Sequence, residues 1–248
     1  MLDLDNIQRI LVTRTPAMTG RYAFLSFGNP AGARAWLAEL VDKVQSAADA
    51  RKTMDSTVRW ITLAFTWNGL RALGVAEDSL ASFPDEFREG MAARADILGD
   101  TGSNHPDNWV GGLADDDLHA IAILFARNSA EHHRCTAVHA ELVARCPGVR
   151  VLSYLDLNAT PPFDYAHDHF GFRDRLSQPM IEGTGEEPTP GSGPALKAGE
   201  FILGYPDEEG VIANLPQPEE LSRNGSYMAY RRLHEHASGV VFRYQLAR

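Results

Sequence analysis

HAIAILFA at 119–126, NSAEHHRCTAVHAELVAR at 128–145 and VRVLSYLDL at 149–157 together decide the fold. The outer two runs are short and apolar, the signature of strands, and the middle run is long enough for a helix of several turns. Asn128 opens that helix, because its side-chain oxygen can take the free amides of a first helical turn. Val138, Leu142 and Val143 are expected to carry its apolar face. His132, His133 and His139 have polar neighbours and are expected on a solvated face. Strand, helix and strand at this spacing form one half of a split βαβ unit.

The other half precedes it. RYAFLSFG at 21–28 is aromatic, apolar and stopped by glycine, which reads as a buried strand. Asn29-Pro30 then starts a helix, with proline at the first helical position and Trp36, Leu37, Leu40, Val41 and Val44 at helical spacing. STVRWITLAFT at 56–66 puts Val58, Trp60, Thr62 and Ala64 on one face of a second strand and Ile61, Leu63 and Phe65 on the other. A short helix is expected over Trp67 to Leu73, closed by Gly74. Residues 75–118, with Pro84, an expected helix over Asp85 to Ala95 and GDTGSNHPDNWVGG, read as an insertion.

The order strand, helix, strand, strand, helix, strand predicts an α+β, ferredoxin-like domain over residues 1–160, an antiparallel sheet with helices on one face. Residues 161–248 then read as a loop segment, a Gly/Pro-rich connector (GTGEEPTPGSG, 183–193) and the start of a second, incomplete domain. Within it, AGEFILGY at 198–205 predicts a further short strand, and Met228 to His236 a helix.

With 248 residues, 44% of them hydrophobic, the chain has ample material for a core. A net charge of -10 argues against a nucleic-acid binder or a binder of anionic membranes, both of which rely on clustered Lys and Arg. No apolar run reaches the roughly 20 residues of a membrane-spanning helix, and the first residues lack a basic start with a small-residue cleavage site. A cytoplasmic location is the expectation. Cys135 and Cys146 lie too far apart on one helix to bridge, and read as reduced core thiols.

The densest chemistry lies at 163–179, FDYAHDHFGFRDRLSQP. His167 and His169 would point to one side of an extended segment. With Asp164, Asp168 or Asp174 they would suit zinc or iron, the basis of a metal-dependent hydrolase reading. His234 and His236 form a second pair, but on a helix two residues turn the side chains about 200° apart. Ser177 lacks a Gly-x-Ser-x-Gly elbow, neither cysteine has an activating neighbour, and no Gly-x-x-x-x-Gly-Lys loop offers a phosphate site.

Gly171-Phe172-Arg173-Asp174, followed by Leu176-Ser177-Gln178-Pro179, resembles the Gly-x-x-Asp-Gly signature of the dye-decolorizing peroxidases. Ala198 to Tyr205, and Asn224-Gly225-Ser226-Tyr227 leading to Arg231, resemble later stretches of that family in the same order. The resemblance implies a haem b enzyme that uses hydrogen peroxide to oxidise bulky organic reductants, with Asp174 as the distal acid-base residue and Phe172, Asp174, Arg175 and Ser177 beside the haem. The carboxylate of Asp174 would take the proton from one peroxide oxygen and return it to the departing one, so that water leaves.

Arg175 stands where the family signature closes on glycine, and a long cation there would narrow the pocket or meet a propionate. The family's axial histidine and distal arginine belong to its second half, which this chain is expected to lack. That predicts a homo-oligomer or a complementing second chain, or else a non-catalytic domain of the same ancestry that binds a partner. Arg231 and Arg232 are expected to be helix charges, and Trp36, Trp60 and Trp67 to be core residues.

Overall fold

The structure is a computed structural model that describes residues 1–12, 19–53, 59–111, 113–114, 116–158, 179–185 and 193–233. Its centre is a four-stranded antiparallel sheet of β1 (Thr19–Phe27), β2 (Arg59–Phe65), β3 (Ala120–Ala126) and β4 (Val149–Asn158), in the spatial order β2-β3-β1-β4. The first two strands are separated by α1 (Pro30–Val41) and α2 (Ala47–Thr53). After β2 come α3 (Trp67–Leu73), α4 (Glu77–Ala81), α5 (Asp85–Ala93) and α6 (Ala95–Leu98), and α7 (Ser129–Arg145) links β3 to β4. Both crossovers skip over one strand, which is the split βαβ arrangement expected.

Local chemistry sets the boundaries. The Asn29 side chain accepts the amides of Ala31 and Gly32 at the start of α1, and that of Asn128 accepts Glu131 N–H at the start of α7. Thr66 does the same for Gly69 in α3, which Gly74 ends in the left-handed conformation. In the region read as an insertion, the expected helix from Asp85 is interrupted at Gly90, where φ is 73°. Two glycines permit close packing: a Cβ on Gly32 would lie 1.8 Å from the Pro147 carbonyl oxygen, and one on Gly69 1.8 Å from that of His119.

Pleating gives the sheet two different faces. On the first, α1 and α7 cover Ala23, Leu25, Phe27, Leu63, Ala120 and Ala122 in a core centred on the fully buried Trp36. On the second lie Phe24, Ile121 and Ile123, with Tyr22, Phe125, Leu152 and Leu155 half-buried beside them. Trp60 stacks on Phe125 on this face, at 5.4 Å between ring centroids, and the Arg9 guanidinium lies 4.6 Å from the Trp60 ring centroid.

The outer edge of β2 is closed by a side chain. Gln8 Nε2 donates to the Leu63 carbonyl at 2.9 Å while Gln8 Oε1 accepts the Leu63 amide at 3.0 Å. The primary amide thus takes the place of a neighbouring strand's peptide group.

Several expectations are corrected. Residues 198–205 form no strand: a 3-10 turn at Ala198–Glu200 leads into further turns, and Ile202 is buried against Ile7, Ala47 and Ile181. Residues 228–233 are not helical either. On α7 the expected faces hold for Leu142, which is buried, for Val143, half-buried against the core, and for His133, which is exposed, but not for three other residues. His132 and His139 are buried, at 6% and 2% exposed, while Val138 is 53% exposed. Both cysteines are free, as expected; Cys135 sits on α7 and Cys146 at its C-terminal cap. Among the described residues no helix is long and apolar enough to cross a membrane.

Candidate functional site

Phe172, Asp174, Arg175 and Ser177 lie outside the described residues, as do His167, His169, His234 and His236. The points between which residues 159–178 run are nevertheless fixed. Asn158 ends β4 opposite Thr19. Met180 and Ile181 are buried, and Ile181 bridges Leu196 in parallel.

The other two stretches that carry the family resemblance are joined to each other. Leu203 N–H donates to the Gly225 carbonyl at 2.9 Å and Asn224 N–H to that of Leu203 at 3.1 Å. The Tyr205 hydroxyl donates to Asn224 Oδ1 at 2.6 Å and accepts the Asp3 amide at 3.1 Å. Asn224 has φ 65°, in the left-handed region that asparagine tolerates better than most residues. The clamp fixes the direction in which the chain leaves residue 225.

From there residues 226–233 cross the second sheet face as a strap. Tyr227 packs on Phe87 at 5.3 Å between ring centroids. Tyr230 lies 5.4 Å from both Tyr22 and Phe24, and burial pushes its hydroxyl pKa up. Arg231, expected to be a helix charge, instead forms a bidentate pair with Asp100, Nη1 to Oδ1 being 2.7 Å. Its guanidinium also lies 5.8 Å from the Trp109 ring centroid. Asp100 is only 5% exposed, and its hydrogen bonds with Arg231 hold its carboxyl below the usual carboxylate range. Sequence reasoning missed Asp100 because a Gly-Asp pair in a loop reads as a turn; its partner is 131 residues away.

The imidazoles of the described residues are committed or remote. His119 Nδ1 accepts the Phe27 amide at 2.7 Å, and burial lowers its pKa. An open depression of about 410 Å³ beside it is lined by Asn68, Arg71, Ala72 and Asp116, but Asn68 is bonded to the Asp116 carbonyl and Arg71 pairs with Glu77. His132 and His139 lie inside the α7–sheet contact. His105 accepts the Asp107 amide on the surface, and His133 is exposed. Among the described residues no three His, Cys, Asp or Glu side chains are grouped to hold a metal.

Comparison with known proteins gives this geometry a context. Residues 6–146 match the family model described as the DyP dimeric alpha+beta barrel domain. A dye-decolorizing peroxidase of Mycena epipterygia is 26% identical over 94% of this chain and 42% of its own length. Peroxidase 2 of Mycetinis scorodonius is 31% identical over 71% of this chain and 32% of its own. The solved structure of an ancestral D-type dye decolorizing peroxidase superposes with a TM-score of 0.70 and 26% identity, covering 82% of this chain and 45% of that one. The chain therefore spans less than half the length of these relatives, and it belongs to the DyP-type peroxidase family, as its N-terminal part.

Proposed function

We propose that this chain forms the distal half of a haem-dependent peroxidase of the dye-decolorizing type, using hydrogen peroxide to oxidise bulky organic substrates. The observation that carries this reading is the family match over residues 6–146, followed in order by the Asp174 signature and the two clamped stretches. When bound, haem b would supply the redox-active iron. Asp174 would hold and return the peroxide proton at its carboxylate oxygens; Phe172, Arg175 and Ser177 would line the same side.

Among the described residues His119 has its Nδ1 engaged, His132 and His139 are enclosed in the helix layer and His105 accepts the Asp107 amide, which leaves the exposed His133 of α7 as the imidazole without such a commitment. This supports function with a complementing region or second chain in place of the described part acting alone.

Haem titration tests the reading. The protein is expected to give the absorption of a ligated haem only when the axial ligand is supplied, by a complementing half or by added imidazole. Asp174→Asn should leave that absorption in place while lowering peroxide-dependent dye oxidation by at least 100-fold, within the range for loss of an acid-base group. Absence of haem uptake under both conditions would sink the assignment for this chain, leaving the non-catalytic domain as its description.

A further inference from the structure

The helix layer contains a charge problem that the peroxidase reading does not use. His139 points from α7 into the core and is 2% exposed, and its Nε2 has no hydrogen-bond partner among the described residues. The ring meets Trp36 of α1 edge-on at 6.1 Å between centroids, and the Trp36 Nε1 also lacks a partner there. His132, two turns earlier, is similarly enclosed, and its Nε2 likewise has no hydrogen-bond partner among the described residues, but that atom lies 3.9 Å from Asp156 Oδ1 on β4. Asp156 is in turn held by Arg21 through two hydrogen bonds, of 2.6 and 2.9 Å.

We propose that His139 makes α7 an acid-releasable cover: taking up a proton at this buried ring loosens α7 from the sheet while the β1–β3 and β2–β3 ladders persist. The surroundings explain why His139 is the more sensitive group: burial lowers the pKa of both rings, but the Asp156 carboxylate opposes that at His132. β1 brings Arg21, a like charge; β3 brings no titratable side chain in Ala120–Ala126. β2 brings Arg59, already paired with Glu131 of α7 at 2.8 Å, and β4 brings Tyr154 and Asp156, which engage Arg21. α1 brings Trp36 and, towards Cys146, Glu39. On α7 itself His133 neighbours His132, and Cys135 is half-buried. A cation at His132 would meet the Asp156 carboxylate, whereas one at His139 would meet an indole and an arginine.

Release can be local because the strand ladders do not pass through α7. β3 pairs with β1 from Ala120 to Ala126 and with β2 over the same residues. Burial, and then Arg21, lower the His139 pKa from 6.5 to about 4. A released α7 would bind the proton near the ordinary value while a docked one would not. Docking is therefore fully favoured above about pH 6.5 and is lost progressively as the pH falls through about 4.

Amide hydrogen exchange on the full chain tests this, with rates corrected for the intrinsic effect of pH. Between pH 7 and pH 4.5, protection of α7 relative to β3 is expected to fall on the order of 100-fold. In His139→Gln the fall should shrink below about tenfold, with His132→Gln closer to the unaltered protein. Equal loss of protection in α7 and β3 would overturn local release. Should the variant not fold, the His139 ring resonances of the unaltered protein decide: a midpoint near 4 agrees, and one near 6.5 removes the proposal.

Discussion

The two faces of the sheet are closed by different means. The first is covered by helices whose apolar residues recur at helical spacing and whose caps are adjacent in sequence, so closure rests on burial around Trp36, Leu40 and Leu142. The second is crossed by an irregular strap arriving from more than 60 residues beyond β4, pinned by Tyr230 on the sheet and by Arg231 on Asp100. Periodic elements close a face by area; an irregular one closes it by a few directed contacts. The first type should fail through cavities and the second through loss of individual pins.

The largest effect is expected from Trp36→Ala. Emptying a fully buried indole site should lower unfolding free energy by about 3–5 kcal/mol in urea denaturation, with no smaller component from the strap. Tyr230→Ala, on the second face, loses two ring contacts but leaves a half-buried site that water can reach. About 1–2 kcal/mol is expected, and a cost equal to that of Trp36→Ala would abolish the distinction between the faces.

A pH scan sharpens the comparison further. Arg231 depresses the Asp100 pKa, so this carboxylate contributes stability above its ordinary titration range, lost as the pH falls through the lower folded value. Asp100→Asn should flatten that acid limb, and Arg231→Lys, with Asp100 intact, should keep it only in part, since an ammonium cannot reproduce the bidentate fork. Thermal midpoints from pH 3 to 7 would show this; an unchanged acid limb in Asp100→Asn would mean that the pair does not pin the strap. Smallest is Gln8→Ala, expected to cost about 1 kcal/mol and to speed exchange of the Leu63 amide before that of its β3-paired neighbours.

The helix-covered face was legible because its information is local. Asn29, Thr66 and Asn128 each cap the helix that immediately follows, and strand runs at 21–28, 119–126 and 149–157 carried their own patterns. The strap was not legible. Met228 to Leu233 holds good helix formers, but Tyr230 and Arg231 are committed to Tyr22, Phe24 and Asp100, whose identity no local window contains. Likewise AGEFILGY at 198–205 has the composition of a strand, yet Leu203 and Tyr205 are bonded to residues 224 and 225 across a turn. For His132 and His139 the cause differs: polarity does not require solvent, because a neutral imidazole can be enclosed. For Asp174 the family signature located a candidate that lies outside the described residues.

The side-chain amide of Gln8 has a consequence for assembly. It occupies Leu63, and Val44 bridges Ile61, so the β2 margin offers an incoming strand an interrupted row of peptide groups. On the opposite margin, β4 runs ten residues with β1 as its ladder partner on one side. Among the described residues the two margins of the sheet thus differ: an added strand would meet engaged peptide groups at β2, whereas no described strand pairs with the outer side of β4.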